Sequence, residues 1–198
     1  HIHMYLKIRN YFLLLFLIPV LPIIAQNITV TAKKPSNIRI EKVAVSPAGK
    51  LLAVLTQEYN SIKVLDAFDA QLIYNYPISE RVEGVYFTSE TNLLLIYKFK
   101  MVLLDIKNHQ VLDSINLQDV IVSTDFNLAH KVIAITSLNS VKTFSCYDQK
   151  FEARGTREAP YCNQISISTD GRFFAIQENQ KINIYNSRSM KLGASINA

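Results

Sequence analysis

The chain has 198 residues, 49% of them hydrophobic and 19% charged, the proportions of a folded protein with a sizeable core and not of a disordered one. Its formal charge is +5, but Lys7 and Arg9 belong to an N-terminal segment of different character, leaving nineteen basic against sixteen acidic residues elsewhere. The longest basic run is Lys33–Lys34, too little for a phosphate-tracking groove, so a nucleic-acid partner is excluded.

Residues 1–25 read as a secretory signal peptide. "MYLKIRN" supplies a basic start, "YFLLLFLIPVLPII" an apolar run of fourteen residues, and Ala25 a small residue at a cleavage position before Gln26. A retained anchor and a core helix are the rival readings. The run falls short of the roughly 17–25 residues that span a bilayer, and Pro19 and Pro22 interrupt it. The expectation is a secreted or periplasmic protein with no stable membrane span after cleavage. His1–His3 precede Met4 and read as upstream translation or an expression remnant, with no metal role.

From residue 26 onward the sequence repeats. After a short alternating stretch, "NITVTAK" at Asn27–Lys33, four copies follow, anchored at Ser46, Thr88, Asn127 and Ser168 and spaced 42, 39 and 41 residues apart. The first reads as strands "EKVAVS", "LLAVL", "SIKVLD" and "QLIYNYPI"; the second as "EGVYFT", "LLLIY", "KMVLLD" and "QVLDSINL". The third gives "IVSTDF", "VIAIT", "VKTFSCYD" and "FEARGT", and the fourth "NQISIS", "FFAIQ", "KINIYN" and "MKLGASI". β-Branched and aromatic residues fill runs of this length, and turn residues punctuate them, so strands are expected throughout. The second strand of each copy is apolar on both faces, the mark of a strand buried between layers. In "SPAG" and "STDG", Gly49 and Gly171 supply the positive φ that a tight hairpin needs. Thr91–Asn92 and His130 stand at the corresponding place in the middle copies, Asn and His being enriched at positive φ.

A period near 40 residues is that of a four-stranded blade, and "VAVSPAGKLLAV", "SIKVLDAFDAQLIYNYPI" and "SISTDGRFFAI…KINIYNSRS" resemble the WD40 and YVTN-type β-propeller repeats. The resemblance covers about residues 38–198. It implies an all-β propeller of about four four-stranded blades, an incomplete ring truncated at the C-terminus, with Asn27–Lys33 available to complete a last blade. Closure of four blades alone or by dimerisation is the alternative. The chain has no Trp and no Gly-His dipeptide opens a repeat, so the looser YVTN-like or bacterial WD40-like class fits better.

Candidate chemistry is sparse. Cys146 and Cys162 form either a disulfide, persistent in an oxidising compartment, or two separate thiols. With no paired His and no Cys-x-x-Cys they make no metal site. His109 and His130 fall in turns with no nucleophile motif beside them, so no catalytic residue and no cofactor are assigned. Asp66, Asp105 and Asp148 recur after the third strands, with Asn186 in the last copy; a ring of cation-binding carboxylates is one reading, and caps of the following turn the other. The resemblance implies that loops joining second to third strands, and blade to blade, share one face that carries binding. There Tyr59, Lys98, Phe99, Lys100, Arg157 and Tyr161 form a candidate aromatic and cationic rim. A protein or peptide partner for a scaffold module is the leading expectation. A propeller-type enzyme, lactonase or quinoprotein-like, is the alternative.

Overall fold

The computed structural model describes residues 39–56, 60–147, 149–160, 162–178 and 180–197; the expected signal segment and Asn27–Lys33 lie outside them. Every regular element among these residues is a β-strand, and the strands form four antiparallel sheets of four, each built from consecutive strands. The first holds β1 (Ile40–Val45), β2 (Leu51–Thr56), β3 (Ser61–Asp66) and β4 (Leu72–Pro77). The second holds β5 (Val82–Phe87), β6 (Asn92–Tyr97), β7 (Lys100–Asp105) and β8 (Gln110–Asn116). The third holds β9 (Ile121–Asn127), β10 (Val132–Ser137), β11 (Ser140–Tyr147) and β12 (Lys150–Glu158). The fourth holds β13 (Ile165–Ile167), β14 (Phe173–Glu178), β15 (Lys181–Asn186) and β16 (Leu192–Asn197). These are blades of a β-propeller. No helix among the described residues is long and apolar enough to cross a membrane.

Blades stack through their second strands. Successive side chains of a strand point to opposite faces, so Leu93, Leu95 and Tyr97 of β6 join Ala53, Leu55, Ile62 and Val64 of the first blade in one apolar cluster. Leu94 and Ile96, between them in sequence, join Ile133, Ile135 and Phe144 of the third blade in another. Ala134 of β10 turns the other way, to Phe174, Ile176 and Tyr185 of the fourth. Leu93 through Ile96 are all fully buried, and each such side chain contributes about 1.5–3 kcal/mol relative to exposure. Burial on both faces holds for β6 and β10. In the outer blades Val43, Val45, Ile182 and Ile196 remain exposed, so β2 and β14 are fully covered on one face only.

Polar groups hold the turns. Ser46 Oγ accepts from the Lys50 and Leu51 amides at 3.2 and 3.0 Å, and Ser168 Oγ accepts from Phe173 N at 3.0 Å. Gly49 and Gly171 have φ of 71° and 66°. In the third blade the positive φ falls on Lys131, at 50°, one residue after His130, because Asn127 Oδ1 accepts the His130 amide at 2.9 Å and fixes that residue earlier in the turn. In the second blade neither Thr91 nor Asn92 has positive φ; Ser89 Oγ instead accepts from both their amides at 3.2 and 3.0 Å.

After the third strands, Asp66 Oδ1 accepts from Phe68 N at 2.8 Å, Asp105 Oδ1 from Asn108 N at 3.0 Å, and Asn186 Oδ1 from Ser189 N at 2.8 Å. The Asn108 amide bond, above all, holds the Asp105 carboxyl below its ordinary pKa. Each of these three residues caps its own turn, and Asp148 lies outside the described residues. Each turn closes with a left-handed residue: Ala70, His109, Gln149 and Met190, at φ of 58°, 57°, 65° and 55°.

Blades are also tied side chain to backbone. Asp113 Oδ2 accepts from Phe151 N and Asp125 Oδ2 from Ile167 N, both at 2.7 Å. Asn127 Nδ2 donates to the carbonyls of Ser168 and Thr169 at 2.7 and 3.0 Å.

The two turn glycines separate backbone strain from crowding. A Cβ on Gly49 meets nothing within 4 Å, whereas one on Gly171 would lie 2.8 Å from His130 Cβ. In urea melts, Gly49→Ala is expected to cost about 1–2 kcal/mol from its left-handed backbone alone. Gly171→Ala carries the same strain plus a clash between neighbouring blades, and is expected to cost about 1–3 kcal/mol more; equal losses at the two sites would contradict this packing.

Candidate protein-binding face

Three equivalent hydrogen bonds bring hairpin tips and inter-blade connectors onto one face. The amide of Ile78 donates to Asn60 O at 3.0 Å, that of Leu117 to Phe99 O at 2.6 Å, and that of Ala159 to Asn139 O at 3.0 Å. At the far end of the connector that begins at Leu117, Ile121 N donates to Lys98 O at 2.9 Å. Pinned backbones leave the side chains of these tips to solvent. Phe99 is 44% exposed and Leu138, at the tip of the adjacent blade's hairpin, 54%.

Beside Phe99 lies an open cleft of about 480 Å³, walled by Glu80, Arg81 and Glu83 on one side and by Lys98, Val120 and Ile121 on the other. Its charges are mutually arranged. Lys100 Nζ stands 2.7 Å from Glu80 Oε1 and 4.7 Å from the centroid of the Tyr97 ring. Arg81 lies 3.5 Å from both Glu41 Oε1 and Glu83 Oε1. Lys98 Nζ is 5.4 Å from the Phe99 centroid, a cation set against an aromatic face. Burial raises the Tyr97 phenol above its ordinary range, with Tyr76 and Glu80 acting in the same direction, so that hydroxyl stays neutral. The arrangement suits an apolar side chain flanked by polar groups. Among the described residues no three His, Cys, Asp or Glu side chains gather as a metal site would require.

The structure divides the residues named from sequence. Lys98 and Phe99 line the cleft and Lys100 is held at its edge by Glu80, while Tyr59 and Tyr161 lie outside the described residues. Arg157 is placed apart, on β12, with its guanidinium carbon 4.2 Å above the Tyr185 ring and its Nε buried without a hydrogen-bond partner. It packs between the third and fourth blades and does not line the cleft beside Phe99. Beneath it Tyr185 OH donates to Glu178 Oε2 at 2.7 Å, and burial, reinforced by this carboxylate, pushes the phenol up to about 12.

The cysteines are not bridged. Both are free and buried, Cys146 packing in the cluster between the second and third blades and Cys162 in that between the third and fourth. Opposite faces of the third blade thus hold them apart. Burial pushes each thiol up to about 11, away from the reactive thiolate.

What sequence reading missed on this face is the cleft's far wall. Glu41 and Glu83 are the extra residues of equivalent bulges where β1 meets β2 and β5 meets β6, and Arg81 joins them. Nothing in the local pattern marks a bulge, but the same position in two copies does carry Glu.

No protein-family model matches the chain, and no curated protein matches it. Among solved structures its fold is similar to hydrazine synthase of Kuenenia stuttgartiensis, with a TM-score of 0.65 and 13% identity over 84% of this chain and 51% of that one. The chain therefore spans about half the length of the structure it matches. At this identity the likeness is one of fold, and the β-propeller assignment made from strand pairing agrees with it.

Truncating Phe99 and Arg157 separates the face from the core. Phe99→Ala is expected to leave the unfolding free energy within about 0.5 kcal/mol of the parent. Arg157→Ala, which removes the cover of the Tyr185 ring, is expected to cost about 1–3 kcal/mol. A loss at Phe99 as large as that at Arg157 would place Phe99 in the packing and not on a binding face.

Proposed function

We propose that this chain is an exported propeller module, of the WD40-like or YVTN-like repeat type, that binds a protein or peptide through its hairpin-and-connector face. The carrying observation is the pair of exposed apolar tips on adjacent blades, Phe99 and Leu138, next to a cleft whose walls combine apolar side chains with paired charges. Binding energy concentrates where an aromatic anchor is ringed by polar contacts that exclude water. The tips stand on backbone hydrogen bonds repeated from blade to blade, so the surface is pre-organised and loses little freedom on binding. Export is supported by the basic and apolar character of residues 4–25.

A random peptide library displayed on phage and panned on the folded chain tests the reading. Enriched peptides are expected to carry an apolar anchor flanked by charge. Their affinity should fall about tenfold or more in Phe99→Ala, a hot-spot loss, and further in Phe99→Ala with Leu138→Ala, with the melting midpoint unchanged. Failure to enrich any sequence, or affinities indifferent to both substitutions, would overturn the assignment of this face.

A further inference from the structure

The fourth strands make the blades comparable position by position. In each, one extra residue interrupts the pairing with the third strand: Ile73 in β4, Leu112 in β8, Arg154 in β12 and Gly193 in β16. A bulge of this kind re-aims its side chain. Beside the bulge lies the capped turn of the following blade, and a groove forms there at two of the interfaces with different linings.

Between the first and second blades the groove measures about 270 Å³ and is largely apolar, with Leu51, Ile73 and Ile106 in its wall beside Lys107 and His109. The His109 ring stacks on Tyr74 at 4.4 Å between centroids. Between the third and fourth blades the equivalent groove measures about 460 Å³ and is lined by Ser145, Tyr147, Glu152, Ala153, Arg154 and Arg188. Arg154 stands where Ile73 stands, and Arg188 where Lys107 does. Gly155 replaces Tyr74, and Met190 replaces His109. A Cβ on Gly155 would lie 2.7 Å from Met190 Cε and 3.0 Å from Arg188 O. Glycine thus lets the turn bearing Arg188 settle against the strand bearing Arg154.

The donors of this groove are unevenly engaged. Tyr147 OH donates to His130 O at 2.7 Å and Ser145 Oγ to Glu152 O at 3.4 Å. Among the described residues, no carboxylate pairs with the guanidinium of Arg154 or of Arg188, and the Glu152 carboxylate in the same wall is bonded to neither. Each guanidinium offers five N–H groups in a planar fork that matches an oxyanion. Two forks from different blades exceed what one carboxylate can satisfy.

We propose that this groove is an oxyanion site, in which Arg154 and Arg188 together hold a phosphate or sulfate group. Its volume exceeds that of the bare anion and leaves room for a small substituent. Glu152 sits on the same wall and opposes the anion's charge, which sets the affinity low and makes it tunable. The site is separate from the Phe99 face and does not depend on it.

The test titrates the intact chain with inorganic phosphate and, in parallel, phenyl phosphate, following arginine Nε–H and backbone amide resonances. Saturable shifts are expected at the Arg154 and Arg188 side chains and at the Ser187–Met190 amides. Arg154→Ala and Arg188→Ala should each weaken binding about tenfold or more, the loss of a charge-assisted pair, and Arg154→Lys should not restore it. Glu152→Gln should tighten binding severalfold by removing the opposing charge. Tighter phenyl phosphate assigns the ligand as a phosphate ester, and equal affinities as the free anion. Because Arg188 lies on an exposed turn, Arg188→Ala should keep its melting midpoint and test binding without unfolding. Non-saturating shifts spread over the surface, or saturable binding unchanged in both arginine-to-alanine variants, would overturn the site.

Discussion

Everything in this fold depends on a strand being covered on both sides. A four-stranded sheet with apolar residues on both faces has no stable place in water, and it finds one when neighbours lie on either side of it. In β6 the odd residues pack toward the first blade and the even ones toward the third, so the alternation of a single strand welds three blades together. Two clusters separated by only the thickness of a sheet share a wall, and a cavity opened in one is felt through that wall by the other.

Hydrogen bonding decides how the layers are oriented, since apolar contact alone is not directional. The turn caps at Ser46, Asp66, Asp105, Ser168 and Asn186 satisfy amides that have no strand partner, and the connector bonds at Ile78, Leu117 and Ala159 pin hairpin tips to the chain leaving the blade. Asp113, Asp125 and Asn127 reach across to the next blade's backbone. A buried or half-buried amide left without such a partner costs about 1–3 kcal/mol, so these side chains set register between blades as firmly as packing does. Side chains between these fixed points are free to vary from copy to copy. That freedom is where the Phe99 cleft and the arginine groove arise.

Strand order and turn positions were legible in the sequence because they follow from local rules: alternation, β-branching, and glycine at positive φ. The strands expected around "LLAVL", "LLLIY" and "VIAIT" match β2, β6 and β10 to within a residue. Legibility ended where a residue's role depends on another blade. Arg157 reads as a loop cation from its neighbours in sequence, yet it lies near the end of a strand and stacks on Tyr185 of the next blade, far along the chain. The positive φ sits on Lys131 and not on His130 because the Asn127 side chain captures the His130 amide, a contact invisible to residue preference. Arg154 gave no signal, since a bulge is a property of pairing and not of sequence. Comparison of the copies at that position, Ile73, Leu112, Arg154 and Gly193, does show one charged residue among apolar ones.

Stability is organised around the doubly covered strands, and native-state hydrogen exchange measures it residue by residue. Amides of β6 and β10 are expected to exchange only through global opening, while those of β16, whose residues are all exposed, exchange through low-energy fraying. Protection in β16 equal to that in β6, or opening of β6 ahead of the outer blades, would contradict it.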